Sequence, residues 1–271
     1  MSPTEARPPL RVALVQFKPT KADVAGNVQA VCDIVGAHAD QTDLIVFPET
    51  ALSGYFLEGG VAEAALTVEQ LIDMLGPPPA GGPDVVIGFY ERWRRRLHNS
   101  AVYLGAEEGA WAVRHVHRKM FLPTYGVFDE DRYFKAGDQC PVFVINGIHI
   151  GVNICEDIWY PVGPIAVQRE AGAELIVNIN ASPFHAGKRA YREKMIATRA
   201  ADNELFVAHL NAVGAQDELV FDGASVICDM NGQVLERAPA FKESLIVTDL
   251  DIEEVFRTRL RDPRPRKENA T

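Results

Sequence analysis

"GVNICEDIWYP", residues 151–161, runs a short, mostly apolar stretch into one cysteine and then at once into two acids. Gly151 to Ile154 read as the end of a buried strand, which puts Cys155 at the strand's carboxyl edge, where a short loop begins. In α/β proteins that edge is where ligands bind. A core cysteine is the competing reading, because free cysteine is among the most buried residue types. The stretch alone leaves both open.

Working outward, "PVFVINGIHIGVNIC" holds Asn146-Gly147 between two alternating apolar runs, a hairpin pattern. Downstream, a helix near 162–171 leads to the strand "AELIVNINAS", then a long helix over 187–203, then "LFVAHLNAVG". Met230-Asn231-Gly232 predicts another hairpin, and "SLIVTDL" a final strand. Upstream, "RVALVQF" (11–17) is a strand, followed by a helix over 23–39, where Val24, Val28, Val31 and Val35 recur at spacings of three or four. "DLIVFPE" (43–49) is a strand stopped by Pro48. A helix over 63–74, the loop "GPPPAGGP", and strands at "DVVIGFY", "SAVYLG" and "AWAVRHV" complete this half. Roughly ten strands with a few long helices, no internal repeat and no linker predict one α/β domain over 1–271, with helices packed outside two sheets. Its core is expected over about 10–252, with a charged, Pro-rich peripheral tail over 253–271.

A chain of 271 residues with 47% hydrophobic and 24% charged residues has the make-up of a globular protein with a full core. Lys and Arg total 27 against 37 Asp and Glu, a net charge of −10, which argues against nucleic acid or an anionic membrane as main partner. The basic run "ERWRRR" (91–96) reads as a solvated loop or strand edge. Cys32, Cys140, Cys155 and Cys228 lie far apart with no C-x-x-C pair, so neither a disulfide framework nor a zinc site is expected. "HVH" (115–117) lacks a third ligand beside it and reads as two partly exposed strand residues. "MSPTEARPPL" shows no signal-peptide pattern and no apolar run reaches membrane-spanning length, so the expected compartment is the cytoplasm.

Three segments read together. "LIVFPETALSGY" puts Glu49 just past a buried strand, "HRKMFLPTYGVFDEDRYFKAG" puts Lys119 before a Gly-, Pro- and aromatic-rich loop, and "GVNICEDIWYP" supplies Cys155. Carboxylate, ammonium and thiol are the parts of covalent amide hydrolysis: a base for the thiol, a donor for the oxyanion, a proton for the leaving nitrogen. Each also has a structural reading: Glu49 as an ion-pair partner, Lys119 as a surface lysine, Cys155 as core.

These segments resemble the three motif stretches of the nitrilase (carbon–nitrogen hydrolase) superfamily, whose triad is Glu, Lys and Cys in that order. Within it, "FPETALSGY", "RKMFLPTYGVFDEDRYF", "GVNICEDIW", "NASPFHAGKRAYRE" and "DELVFDGASVICD" are similar to the glutaminase domain of glutamine-dependent NAD synthetases. The resemblance implies a four-layer αββα sandwich. It implies Glu49 as general base and acid, Lys119 as oxyanion donor, Cys155 as nucleophile and the Glu156 N–H as second oxyanion donor. Glu130 matches a supporting carboxylate, Tyr125 and Phe128 line the glutamine pocket, and Ser182 and Arg189 contact the amino acid's polar end, with Lys188 as the alternative to Arg189. No metal or organic cofactor is implied, and at least a homodimer is.

The ATP-using half of those synthetases carries a Gly/Ser-rich pyrophosphate loop, and neither that loop nor G-x-x-x-x-G-K-[ST] occurs in these 271 residues. Three expectations follow: a glutaminase subunit feeding ammonia to a separate NAD synthetase, a free-standing amidase on glutamine, another small ω-amide or an N-carbamoyl substrate, or a non-catalytic subunit. For the first, Arg257, Arg259, Arg261 and Arg264 with Phe256 and Leu260 form the expected partner surface.

Overall fold

Alternate residues of the first strand face two different cores, and this sets the architecture. The structure, a computed structural model, describes residues 7–56 and 59–261. In chain order the strands are β1 (Leu10–Gln16), β2 (Leu44–Val46), β3 (Asp84–Trp93), β4 (Arg96–Glu107), β5 (Ala110–Arg118), β6 (Phe143–Ile145), β7 (Ile148–Ile154), β8 (Leu175–Asn180) and β9 (Phe206–Asn211). They continue as β10 (Val213–Gln216), β11 (Leu219–Asp222), β12 (Val226–Cys228), β13 (Val234–Arg237) and β14 (Ser244–Leu250). The helices are α1 (Val24–Ala37), α2 (Val61–Ala64), α3 (Val68–Leu75), α4 (Pro164–Glu170), α5 (Lys188–Asn203) and α6 (Glu253–Arg261).

Two six-stranded sheets form, ordered β14-β1-β2-β3-β4-β5 and β13-β12-β9-β8-β7-β6. Val12 and Leu14 of β1 meet Val152 and Ile154 of β7 and Val177 and Ile179 of β8 in a core between the sheets. Ala13 and Val15 point the other way, onto Val28, Val31 and Val35 of α1 and Leu71 of α3. On the far side, Met195, Ile196 and Ala200 of α5 and Ile165 of α4 cover Ile176 and Val207. Helix, sheet, sheet, helix is the four-layer αββα sandwich that the resemblance implies. Because both faces of the central strands are buried, they read as continuous apolar runs, and each fully buried Val, Leu or Ile contributes about 1.5–3 kcal/mol.

Local chemistry explains where the elements differ from expectation. The helix expected over 63–74 is split: Thr67 opens α3 with a capping box, its hydroxyl accepting from the Gln70 N–H while the Gln70 side chain accepts from Thr67 N–H. β2 stops at Val46, before Pro48, so 47–50 are free to turn into the site. Asn146 and Gly147 sit at φ 51° and 78°, as a two-residue hairpin requires. The β12–β13 turn is tied by Asp229, whose Oδ1 accepts from the Asn231 and Gln233 N–H groups.

Two expectations need correction. His117 is fully buried, not partly exposed, because its Nε2–H reaches the buried Asp157 carboxylate at 2.8 Å. Residues 253–261, expected as peripheral tail, form α6, whose Val255 is fully buried in the inter-sheet core. Arg259 donates from Nε to the Glu204 carbonyl and from Nη2 to the Ala173 carbonyl, so it faces the body of the protein rather than a partner. Arg264 lies outside the described residues. No described helix is long and apolar enough to cross a membrane.

Candidate active site

The parallel strands β2, β7, β8 and β9 end together, and the residues just past those ends converge. Glu49 follows β2, Cys155 follows β7, Ala181 and Ser182 follow β8, and Asn211 ends β9.

Glu49 is wholly buried. Its Oε1 accepts from Lys119 Nζ at 2.9 Å and from Asn99 Nδ2 at 2.7 Å, and its Oε2 accepts from the Ala181 N–H at 2.6 Å. The backbone behind it needs Gly88: a Cβ there would lie 2.3 Å from the Pro48 oxygen and 2.7 Å from the Glu49 Cα. Gly88→Ala is therefore expected to shift Glu49 and lower turnover by about 10²-fold, the cost of a roughly 1 Å misplacement, while circular dichroism stays native.

Lys119, also buried, gives a second hydrogen bond to Glu130 Oε1 at 2.8 Å, and the same oxygen accepts from the Tyr55 hydroxyl. Burial alone works against the ammonium, yet Glu130, Glu49 and Cys155 outweigh it and hold the Lys119 pKa well above that of an ordinary lysine. The Glu130 pKa is raised as well, by burial first, with Lys119 opposing and Glu49 adding to the rise. The Cys155 thiol is raised well above its ordinary value by burial and by Glu49, with Lys119 opposing. The sulfur therefore rests as a protonated thiol.

Cys155 takes φ 43°, a left-handed conformation rare outside glycine, at the start of a 3-10 turn over Cys155–Ile158. Asp157 sets that turn. Its Oδ2 accepts from the Ile154 N–H and from His117, and its Oδ1 accepts from the N–H groups of Met120 and Phe121, each backbone bond being 3.0 Å. One carboxylate thus ties the cysteine turn to the backbone that follows Lys119. Asp157→Ala leaves three backbone donors and a buried histidine unpaired, and is expected to cost about 3–5 kcal/mol, measurable by urea unfolding.

A cavity of about 550 Å³ opens over Cys155, lined by Lys119, Tyr55, Tyr125, Phe128, Glu156, Ser182 and Lys188 among others. The Tyr125 hydroxyl donates to Glu156 Oε2 at 2.9 Å. Lys188 Nζ donates to the Pro183 carbonyl at 2.9 Å and its pKa is lowered, chiefly by burial. Arg189, by contrast, is exposed and does not line this cavity. One helical residue beyond Lys188 turns it about 100° away from the cavity. The alternative, Lys188, is the cation that faces the site.

Five residues outside the expected set complete the arrangement. Asn99 and Asp157 hold Glu49 and the cysteine turn as described. Arg192 makes a buried two-bond pair with Asp222, both at 3.0 Å, and Asn211 links Asp222 to the Ser182 N–H. Asp157 stands in "CEDIW", and Arg192 and Asp222 stand in "KRAYRE" and "VFDG", so their segments were visible in the sequence. Asn99 carries no sequence signal. No group of three or more His, Cys, Asp or Glu among the described residues could hold a metal ion.

The Carbon-nitrogen hydrolase family pattern matches residues 11–260. The chain is 37% identical over 260 residues to a glutamine-dependent NAD(+) synthetase of Aquifex aeolicus, and 39% identical over 262 residues to one of Thermotoga maritima. In each case the alignment takes 95% of this chain and 45% of the relative, so the chain spans about half the length of the curated relatives it matches. Among solved structures, the glutamine-dependent NAD+ synthetase of Acinetobacter baumannii, bound to ADP, superposes with a TM-score of 0.81 at 31% identity, over 91% of this chain and 46% of that one. A carbon-nitrogen hydrolase of Helicobacter pylori shares the fold at a TM-score of 0.81 and 21% identity, over 95% of this chain and 94% of that one. This protein is an enzyme of the carbon–nitrogen hydrolase family.

Proposed function

We propose that this chain hydrolyses the side-chain amide of glutamine through a thioester on Cys155, releasing glutamate and ammonia. The observation that carries the reading is a pair of opposite charges, Glu156 and Lys188, lining the same cavity as the Cys155 thiol. A carboxylate and an ammonium lining one pocket suit the zwitterionic end of a free amino acid, whereas a neutral ω-amide brings a counter-charge to neither. The matching relatives named glutamine-dependent synthetases support the same substrate.

In this reading Glu49 takes the Sγ proton as sulfur attacks the amide carbon. Lys119 Nζ and the Glu156 N–H stabilise the oxyanion, each worth about 3 kcal/mol. Glu49 returns the proton to nitrogen, the C–N bond breaks and ammonia leaves. Water, deprotonated by Glu49, attacks the thioester carbon; the C–S bond breaks, Glu49 returns the proton to sulfur, and glutamate leaves. Glu130 and the Tyr55 hydroxyl keep the Lys119 ammonium aimed, and Tyr125 and Phe128 wall the substrate chain. Ser182 offers a hydroxyl at the amino acid's polar end.

Ammonia release from a panel of amides tests this. Glutamine should exceed neutral ω-amides and N-carbamoyl compounds in kcat/KM; the reverse order selects the free-standing amidase. Lys188→Met is expected to raise KM for glutamine about 10- to 100-fold with a smaller change in kcat, because it removes one charged contact at the substrate's remote end.

Ammonia made here is then passed to a separate ammonia-dependent NAD synthetase. α6 supports that step with an exposed face containing Phe256 and Leu260, while Arg257 is paired with Asp251. Added synthetase should raise glutamine turnover, and Phe256→Ser with Leu260→Ser should abolish only the increment.

A further inference from the structure

The basic run at 91–96 plays no part in the site above, and the structure gives it a definite setting. Arg94 and Arg95, at φ 45° and 62°, form the tight turn of the β3–β4 hairpin. The Trp93 ring is covered by two guanidinium groups, Arg118 at 3.7 Å and Arg94 at 4.3 Å from its centroid. Arg118 is itself held by Glu91 through two hydrogen bonds of 2.7 and 2.6 Å. The hairpin forms one wall of a cavity of about 430 Å³, and the segment from Lys135 to Asp138 forms the other.

Four cations line this cavity, Arg94, Arg96, Arg118 and Lys135, against one carboxylate, Asp138. In a chain of net charge −10 that is a local reversal of sign. Arg94, Arg96 and Lys135 make no ion pair among the described residues.

The lining also includes His98, which is only 2% exposed. Neither of its ring nitrogens has a hydrogen-bond partner. Burial lowers the His98 pKa and favours the neutral ring, against the nearby Glu91 carboxylate and the Lys135 backbone, which comes close without hydrogen-bond geometry. Exposed arginines on a hairpin are explained by solvation. A buried imidazole with an idle donor and an idle acceptor is not, since burying unpaired polar groups is costly.

Taken together, the cavity wants an anion with several acceptor atoms. Two guanidinium groups already pack on the Trp93 ring, which favours an anion over a stacked nucleobase. We propose that this cavity binds a phosphate group, free or at the end of a monoester, held by Arg96 and Lys135 with His98 donating from the cavity wall. Charge-assisted bonds from Arg and Lys to phosphate oxygens are among the stronger hydrogen bonds.

Its place in the fold is next to the candidate active site. His98 precedes Asn99, Arg118 precedes Lys119, and the Gly137 N–H donates to the Lys119 carbonyl at 2.9 Å. Neighbouring strand residues point to opposite faces, so the phosphate would sit behind the catalytic groups rather than among them.

Binding can be read without turnover, so this proposal stands or falls apart from the glutamine reading. The full chain, labelled with 15N in histidine, is titrated with inorganic phosphate at constant ionic strength while the His98 ring resonances are followed, assigned by their loss in His98→Gln. A saturable shift is expected. Arg96→Ala combined with Lys135→Ala, both at exposed positions, should weaken it by about tenfold or more, and Lys242→Ala, exposed and outside the cavity lining, should not. Adenosine monophosphate and glycerol phosphate form the second arm. Tighter binding of either assigns the site to a monoester, and equal or weaker binding to free phosphate. Shifts that never saturate, or a midpoint unchanged in the double variant, would overturn the proposal.

Discussion

Cys155→Ala is expected to lower glutamine turnover by on the order of 10⁶-fold, the scale seen when a covalent nucleophile is removed from a preorganised site. Steady-state ammonia release measures it. The fold should survive, because alanine keeps the chain's path and deletes only a thiol at the cavity floor. An electrophilic glutamine analogue should add one mass equivalent to the wild-type protein, on Cys155, and none to the variant. Cys228 is fully buried and its thiol is pushed up to about 12, chiefly by burial, so it should stay unlabelled. Labelling of Cys32, Cys140 or Cys228, with an active Cys155→Ala protein, would move the nucleophile elsewhere.

The second large effect concerns the pair Glu49 and Lys119. Glu49→Gln keeps shape and the hydrogen bond to Asn99 but removes the base for both half-reactions, and Lys119→Ala removes the charged oxyanion donor. Each is expected to cost about 10⁴-fold or more in kcat, and the double variant little beyond that, because groups serving one transition state are not additive. Lys119→Ala also leaves Glu49 and Glu130 buried without their shared cation, so a stability loss of about 3–5 kcal/mol should accompany it. Thermal unfolding separates the two effects: assays are run well below the lowered midpoint. Fully multiplicative losses in the double variant would mean the residues do not share one transition state.

How far the sequence could be read follows from which interactions are local. The strands reveal themselves because β1, β7 and β8 are buried on both faces and the helices because α1 repeats Val at helical spacing. Asn146-Gly147 announces its turn because only a few residue types accept two left-handed positions in a row. The split between α2 and α3 was harder, since the Thr67 capping box competes with an apolar rhythm that continues across it. At the site, three separated motif stretches pointed to Glu49, Lys119 and Cys155, which the fold brings to one cluster of strand ends. What could not be read are contacts between distant segments. Asn99 meets Glu49 only because β4 lies beside β3, and His117 is buried only because Asp157 arrives from another sheet. That Lys188 rather than Arg189 lines the cavity was hidden for a related reason: helical phase near an N-terminus depends on where the helix begins, and Gly187, at φ 81°, fixes that point.

The resting state of the Cys155 thiol has a consequence for the protein's durability. Peroxide and oxygen-derived oxidants attack thiolate far faster than thiol, and the path to sulfenic and then irreversible sulfinic acid begins there. Burial and the adjacent Glu49 favour the proton on sulfur. That arrangement makes the sulfur a poor target for oxidants. Ageing in air should therefore be slow for the unoccupied enzyme, and damage should track the moments when the thiol gives up its proton.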